Sequence, residues 1–300
     1  MKFVSLKREK KVQGLLFILP GFIFHFILIV LPATSLIYYG FTNWSGINVP
    51  EFVGFANYYR AFFEDKDFFY ALLNNLKWIV FFLTVPIITG FIIALGVIKM
   101  KRGQMIMRAM FFMPYVVGSV VVGRIFAYLY SPYIGIAAIF KKLGIESLAN
   151  FAPLGNTNLA LWAVAFADFW HWWGFVMILF IAALHQVDDT LYEAASIEGA
   201  NAFQKLFYIT LPSIMPTLVT IFMITIIGSF LTFDYVWVMT KGGPGGTTEI
   251  AASWIYKKAF NAYEAGYSSS LSLIIVSICI LVYFIFQMIQ SRLRKRGSEI

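Results

Sequence analysis

The sequence predicts an all-α integral membrane protein with six transmembrane helices. Three observations carry this. Of the 300 residues, 60% are apolar and only 13% charged, with a mean hydropathy of +0.77. A soluble chain carries roughly a quarter charged residues, so this chain has too little charge to cover a surface in water, and lipid is the expected solvent. Six apolar runs each reach the ~20 residues that cross a hydrocarbon layer. The runs lack a strand's two-residue alternation and are too long for barrel strands. The same composition excludes a disordered chain, a coiled coil and a nucleic-acid module. The single cysteine, Cys279, lies in an apolar run, which excludes a disulfide framework and a cysteine-based metal site.

The first run, 14–40, follows Lys7, Arg8, Lys10 and Lys11. It is too long for the apolar core of a cleaved signal and reads as a retained anchor helix. Its separate loop suggests packing on the rim of the bundle or on a partner. The remaining runs are 71–98, 105–130, 158–184, 211–239 and 269–289. With the N-terminus inside, the cytoplasmic pieces hold fourteen Lys and Arg and the outside pieces eight, the latter diluted by acids such as Glu51, Glu64 and Asp65. The positive-inside rule then puts both termini in the cytoplasm. Tyr38, Tyr39, Trp44, Trp78, Tyr128, Tyr130 and Trp237 lie near run ends, as an interfacial aromatic belt requires. The outside loops, 41–70, 131–157 and 240–268, are too short for a sizeable domain. The expected organisation is therefore 1–70 (N-terminus, first span and its loop), a five-helix core over 71–290, and a basic tail over 291–300.

One cytoplasmic loop stands out. Residues 185–210 read HQVDDTLYEAASIEGANAFQKLFYIT. Asp188, Asp189 and Thr190 are N-cap candidates for a short helix. Glu193 falls near its positive end, Ala194 and Ala195 give it a small-residue face, and Gly199 allows a bend. Leu211–Pro212 then restarts the chain into the fifth span, since proline is tolerated in a first turn. Two readings are open on these residues alone: a passive connector, or a knob that docks into a partner's groove.

Glu193-Ala194-Ala195, three residues, Gly199, nine residues, then Ile209-x-Leu211-Pro212 matches the EAA loop of bacterial ABC importer permeases without a gap. The chain resembles the sugar-permease branch of that family over nearly its whole length. Arg108 with Phe111-Phe112-Met113-Pro114-Tyr115, Trp173-Gly174-Phe175, Phe233-Asp234 with Thr240-Lys241-Gly242-Gly243-Pro244-Gly245, and Tyr256 with Ala259-Phe260 and Gly266-Tyr267 carry the likeness. It departs from the maltose-transporter subunit in having no room for a large extra outside domain. The resemblance implies a type I importer permease bundle in a bacterial plasma (inner) membrane, with a cytoplasmic coupling helix. It also implies a second permease subunit, two ATPase subunits that bind ATP and Mg, and an extracellular or periplasmic sugar-binding protein. Glu193, Ala194, Ala195, Gly199, Ile209, Leu211 and Pro212 would form the coupling element. The Gly242–Gly246 turn would lie near the face where the binding protein docks.

The chain holds no G-x-x-x-x-G-K-[ST] phosphate loop, so any ATP motor is expected on another polypeptide. No catalytic motif and no metal cluster is legible. Charges inside apolar runs each cost about 2.5–3.5 kcal/mol at the bilayer centre on insertion scales. Arg124, Asp168, His171 and Asp234 are therefore candidates for a solute path. Asp168 and His171, three apart, share a helix face beside Trp173, and Asp234 and Trp237 repeat that spacing. Aromatic faces stack on sugar rings, and carboxylates and imidazoles bond hydroxyls. A structural role is open for each: Arg124 pairing two helices, Asp234 capping a loop. The expected function is a permease for a neutral carbohydrate. Glycerol 3-phosphate or another small polar solute is the alternative, and a stand-alone transporter or a membrane enzyme is a more distant rival.

Overall fold

Proline lies where several of these apolar runs widen or break. The computed structural model describes residues 2–297, with side chains over 13–145 and 148–293. The last three tail residues, and the side chains of Lys2, Lys7, Arg8, Lys10, Lys11, Arg294, Lys295 and Arg296 used for orientation, lie outside the described residues. Helix α1 runs over Lys2–His25, passes through a π turn at Phe26–Val30 and continues over Leu31–Tyr39. The π turn immediately precedes Leu31-Pro32. A proline has no N–H to donate and its ring crowds the carbonyl four residues back. One wider turn absorbs both defects without ending the helix.

The chain forms two compact units. The first comprises residues up to Glu64 with Ile255–Ile274, and the second Asp65–Trp254 with the chain from Ile275 onward. In the first, α1 supplies a membrane-length apolar stretch, Gln13–Tyr39, whose most apolar window has no buried residue. It is followed by a short helix, α2 (Ala56–Phe63).

In the second unit, α3 (Lys66–Ile98) and α7 (Ala160–Leu184) form the central helix pair. Around them lie α4 (Gln104–Val116), α5 (Ser119–Leu129), α9 (Leu211–Leu231) and α10 (Asp234–Met239). A short α6 (Ile136–Lys142) follows α5, and α8 (Asp189–Ile197) follows α7. The chain ends with α11 (Ala251–Tyr256) and the long α12 (Ala265–Gly297). Two apolar clusters fill the unit. One gathers Trp78, Phe82, Phe126, Val164 and Tyr235, the other Ile87, Val176, Met177, Phe180 and Ile214. Trp172 packs against both.

Two expectations are corrected. The run 105–130 is not one straight span but the pair α4 and α5, bent by 88°. Among the described residues, five helices are each long and apolar enough to cross, and the bent pair makes a sixth if counted as one span. Pro114 sits in the last turn of α4, and Val117 and Gly118 are extended, with ψ of 130° and 140°. The last helical residue, Val116, lies two residues after Pro114. Nor does the fifth span restart at Leu211–Pro212. Helix begins at Ala202 and passes through a π turn at Leu206–Thr210 before Pro212, the same solution as in α1. This span breaks later, at Thr232–Phe233, where α10 begins.

Candidate functional site

The two helix breaks meet. Ser119 starts α5 just after the first break, and Asp234 starts α10 just after the second. The Ser119 hydroxyl donates a hydrogen bond to the Asp234 carboxylate. Both line a cavity of about 260 Å³ with Asp168, His171 and Trp172 of α7, Trp78 and Phe82 of α3, and Thr225, Ser229 and Tyr235. Asp168 is buried and within Coulombic reach of Asp234. His171 lies beside the main chain of Tyr115 and Val117 and stacks on the Tyr115 ring at 5.2 Å. The break in the third span therefore frees backbone where an imidazole can use it.

The cavity wall is chemically uncommitted. Trp172 Nε1, Thr225 Oγ1 and Tyr235 OH are buried and have no hydrogen-bond partner among the described residues. Trp78 Nε1 lies near Asp168 without a hydrogen bond of good geometry. Buried polar groups are normally satisfied, so several together around one cavity mark a place that water or a polar solute completes. The lining contains two carboxylates and no Lys or Arg.

Of the residues singled out in the sequence, Asp168, His171 and Asp234 come together here. Trp173 does not line the cavity. Its ring packs on Phe111 at 5.3 Å and on Phe169 at 6.3 Å. Trp237 stacks on Phe233, itself a lining residue, at 5.5 Å. Arg124 is exposed on α5, away from the lining, and pairs with no carboxylate among the described residues. Ser119, Thr225 and Tyr235 were not legible as members, because each reaches the cavity only through a break or a helix pairing. Also unforeseen are Asn74 and Asn75. Asn74 bonds the carbonyls of Thr247 and Glu249, while Asn75 bonds the Ser229 carbonyl and the Ala251 N–H. They hold the glycine-rich loop after α10 against α3.

The second candidate element is α8. Asp188 is its N-cap and accepts from the Thr190 N–H at 2.9 Å. The Thr190 backbone bond, then its side chain, hold the Asp188 carboxyl below its ordinary range. The cap is thus complete at neutral pH and is lost only as pH falls through that lowered value. Asp189, not Glu193, occupies the first turn, and Glu193 lies a turn later, exposed with Ala194. At the other end Gly199 has φ of +79°. The Ala200 N–H bonds the Ala195 carbonyl at 2.8 Å and the Gly199 N–H bonds the Ser196 carbonyl at 3.2 Å. This is a Schellman closure around a left-handed residue. A capping box between Asn201 and Gln204 starts the next helix. Tyr192 OH to Thr210 Oγ1 at 2.9 Å, and Lys205 Nζ to Ser196 Oγ at 2.6 Å, tie α8 to the base of the fifth span. Ile209 and Leu211 are half-buried there, while Pro212 is exposed in the first turn of α9. The Arg108 guanidinium on α4 donates to His185 Nε2 at 2.8 Å, at the C-cap of α7.

Compared with known proteins, residues 86–295 match the model of the binding-protein-dependent transport system inner membrane component family. The chain is 28% identical to the probable ABC transporter permease protein YurN of Bacillus subtilis (strain 168), over 97% of this chain and 99% of that one. It is 32% identical to the diacetylchitobiose uptake system permease protein NgcF of Streptomyces coelicolor, over 91% of this chain and 80% of that one. In fold it resembles a chain from the crystal structure of a bacterial ABC transporter involved in the import of the acidic polysaccharide alginate. That likeness has a TM-score of 0.82 at 20% identity, covering 97% and 98% of the two chains.

Proposed function

The chain belongs to the binding-protein-dependent transport system inner membrane component family, and from that membership we propose that it is the permease subunit through which an ABC importer moves a neutral, hydroxyl-rich carbohydrate. The observation that carries the substrate class is the cavity at the two helix breaks. Its wall offers unpaired donors from Trp172, Thr225 and Tyr235, acceptors from Asp168 and Asp234, and aromatic faces, with no cationic side chain. A sugar hydroxyl both donates and accepts, so it can meet all of these groups. A phosphate or uronate would find no Lys or Arg in this lining to pair with, which disfavours it in a site of low dielectric. The uptake role named for the diacetylchitobiose relative supports a sugar.

In this reading the chain pairs with a second permease subunit and α8 docks on one of two ATPase subunits. Both termini lie on the ATPase side, and a binding protein delivers solute to the opposite side. ATP and Mg are held by the ATPases. The rocking of α8 is transmitted to the cavity through α4, which is about 20 Å long at 1.5 Å per residue. Arg108, in the second turn of α4, holds His185 just ahead of α8, and the break at Val117–Gly118, which meets the cavity, follows about 13 Å further along.

The test is ATP-driven uptake by the complete importer in vesicles, comparing neutral with uronate-containing oligosaccharides. Asp168→Asn or Asp234→Asn should lower neutral-sugar uptake at least tenfold while membrane insertion and co-purification of the companions persist. Unchanged uptake in both variants, or preferential uptake of the uronate, would reject the substrate assignment.

A further inference from the structure

Helix α2 presents an aromatic face that nothing in its own unit covers. Phe55, Tyr59, Phe62 and Phe63 recur at helical spacing, and Phe52 precedes them. Phe52, Phe55 and Phe63 are 75%, 73% and 74% exposed. Phe41 packs against Phe55 at 5.2 Å and Tyr59 against Phe63 at 5.0 Å, and the four-residue spacing of Phe55, Tyr59 and Phe63 puts these pairs on one face. The opposite side of α2 is built in: Ala61 is buried, and Arg60 forms an ion pair with Glu264 at 3.1 Å and lies 4.1 Å over the Tyr267 ring.

The depth of this patch is set by contacts beside the ends of two membrane spans: Arg60 pairs with Glu264 just ahead of α12. Asn57 Nδ2 donates to the carbonyls of Gly40 and Thr42 at 3.1 and 2.8 Å, just beyond the end of α1. The Gly266 N–H, in the first turn of α12, donates to the Trp44 carbonyl at 2.7 Å. Thus α2 is pinned where one span ends and another begins, and that is the level of the lipid headgroups. The apolar stretch of α1 leading to this level has no buried residue, so the patch continues a lipid-facing surface.

We propose that α2 is an interfacial helix, with Phe52, Phe55, Tyr59 and Phe63 inserted into the headgroup layer of the bilayer at the end of α1 remote from the N-terminus. Aromatic side chains with a polar opposite face suit that layer. The helix then fixes the height and tilt of the first span, which has little packing of its own to do so.

The test uses the importer with its companion subunits, in vesicles of phosphatidylethanolamine and phosphatidylglycerol, on a Cys279→Ser background. Nitroxides are placed by Phe55→Cys, Tyr59→Cys or Phe63→Cys, with Glu51→Cys as the control in water. The three helix positions should favour oxygen over a water-soluble nickel relaxant several-fold more than the control. Nickel access equal to the control would overturn the proposal, because the face would then be in water. Protection from both relaxants would also overturn it, because a protein would then cover the face. On the unsubstituted chain, a phospholipid with a photoreactive group near its headgroup should label the 52–63 segment, and absence of label there would count against it. Neither measurement needs solute or ATP, so failure is separable from failure of the transport reading.

Discussion

A Cβ built on Gly174 would lie 2.1 Å from the Phe111 carbonyl oxygen and 3.1 Å from the Phe112 Cα, so any side chain there must push the backbone of α4 away from α7. This close approach places the end of α4, and hence the break before Ser119, beside His171. Gly174→Ala should therefore destabilise by overpacking, at about 1–3 kcal/mol, and reduce uptake through a displaced cavity. A Cβ on Gly96 would meet nothing within 4 Å, and Gly96→Ala should be neutral or slightly stabilising in its helix. Thermal unfolding of the two variants in detergent checks the contrast; equal melting temperatures would remove the packing argument. The tripeptide Trp173-Gly174-Phe175 is visible in the sequence, but its reason is not. The sequence points to Trp173 as a solute contact, whereas the structural demand falls on the glycine beside it. Asp168, His171 and Asp234 were legible because a charge in an apolar run is conspicuous. Thr225 and Tyr235 were not, since a hydroxyl in a span normally bonds its own helix and raises no signal.

At the scale of elements, the apolar runs were readable to within about five residues, except the fifth, whose helix starts nine residues before Leu211, and what the sequence hid was their internal breaks. Pro114-Tyr115-Val116-Val117-Gly118 contains a helix breaker and a flexible residue, yet Pro32, Pro86, Pro212 and Pro216 lie within continuous helix. Proline alone does not say whether a helix widens, bends or stops; the neighbouring helix decides, here through the approach at Gly174. The element α8 was legible because its boundaries are chemical: Asp188 caps one end and Gly199 closes the other. Its closure makes a prediction. A non-glycine residue at a φ of +79° costs about 1–2 kcal/mol, and asparagine tolerates that conformation better than other side chains. Gly199→Ala should therefore loosen the end of α8 and lower uptake per ATP hydrolysed, while Gly199→Asn retains most of the coupling. The measurement is the ratio of transported sugar to released phosphate in the reconstituted importer. If alanine and wild type give the same ratio, the closure has no part in force transmission.

Across the whole molecule, the cavity and α8 are separate sites joined by continuous structure. The second unit contains both, and α4 connects them, with Arg108 in its second turn at His185 and its C-terminal end at the break beside His171. If the coupling energy runs through this helix, linkage demands that it run in both directions. Nucleotide-driven movement of α8 must then alter the cavity, and occupation of the cavity must alter the affinity for the motor's closed state. Arg108 is the joint to cut, because its guanidinium holds His185 by a charge-assisted bond, typically worth about 1.5–3 kcal/mol. It is not a lining residue of the cavity, and its hydrogen bond goes to His185 rather than to α8. Arg108→Gln should leave the subunits assembled and basal ATP hydrolysis near wild type. It should reduce both the stimulation of hydrolysis by the solute-loaded binding protein and the uptake driven by ATP, by similar factors. Loss of uptake with full stimulation would show that the two sites communicate by another route, such as the direct Tyr192–Thr210 link into the fifth span. Loss of neither would mean that α4 is a passive wall. A parallel fall in both is the signature of a lever, since a lever weakened at its pivot fails equally from either end.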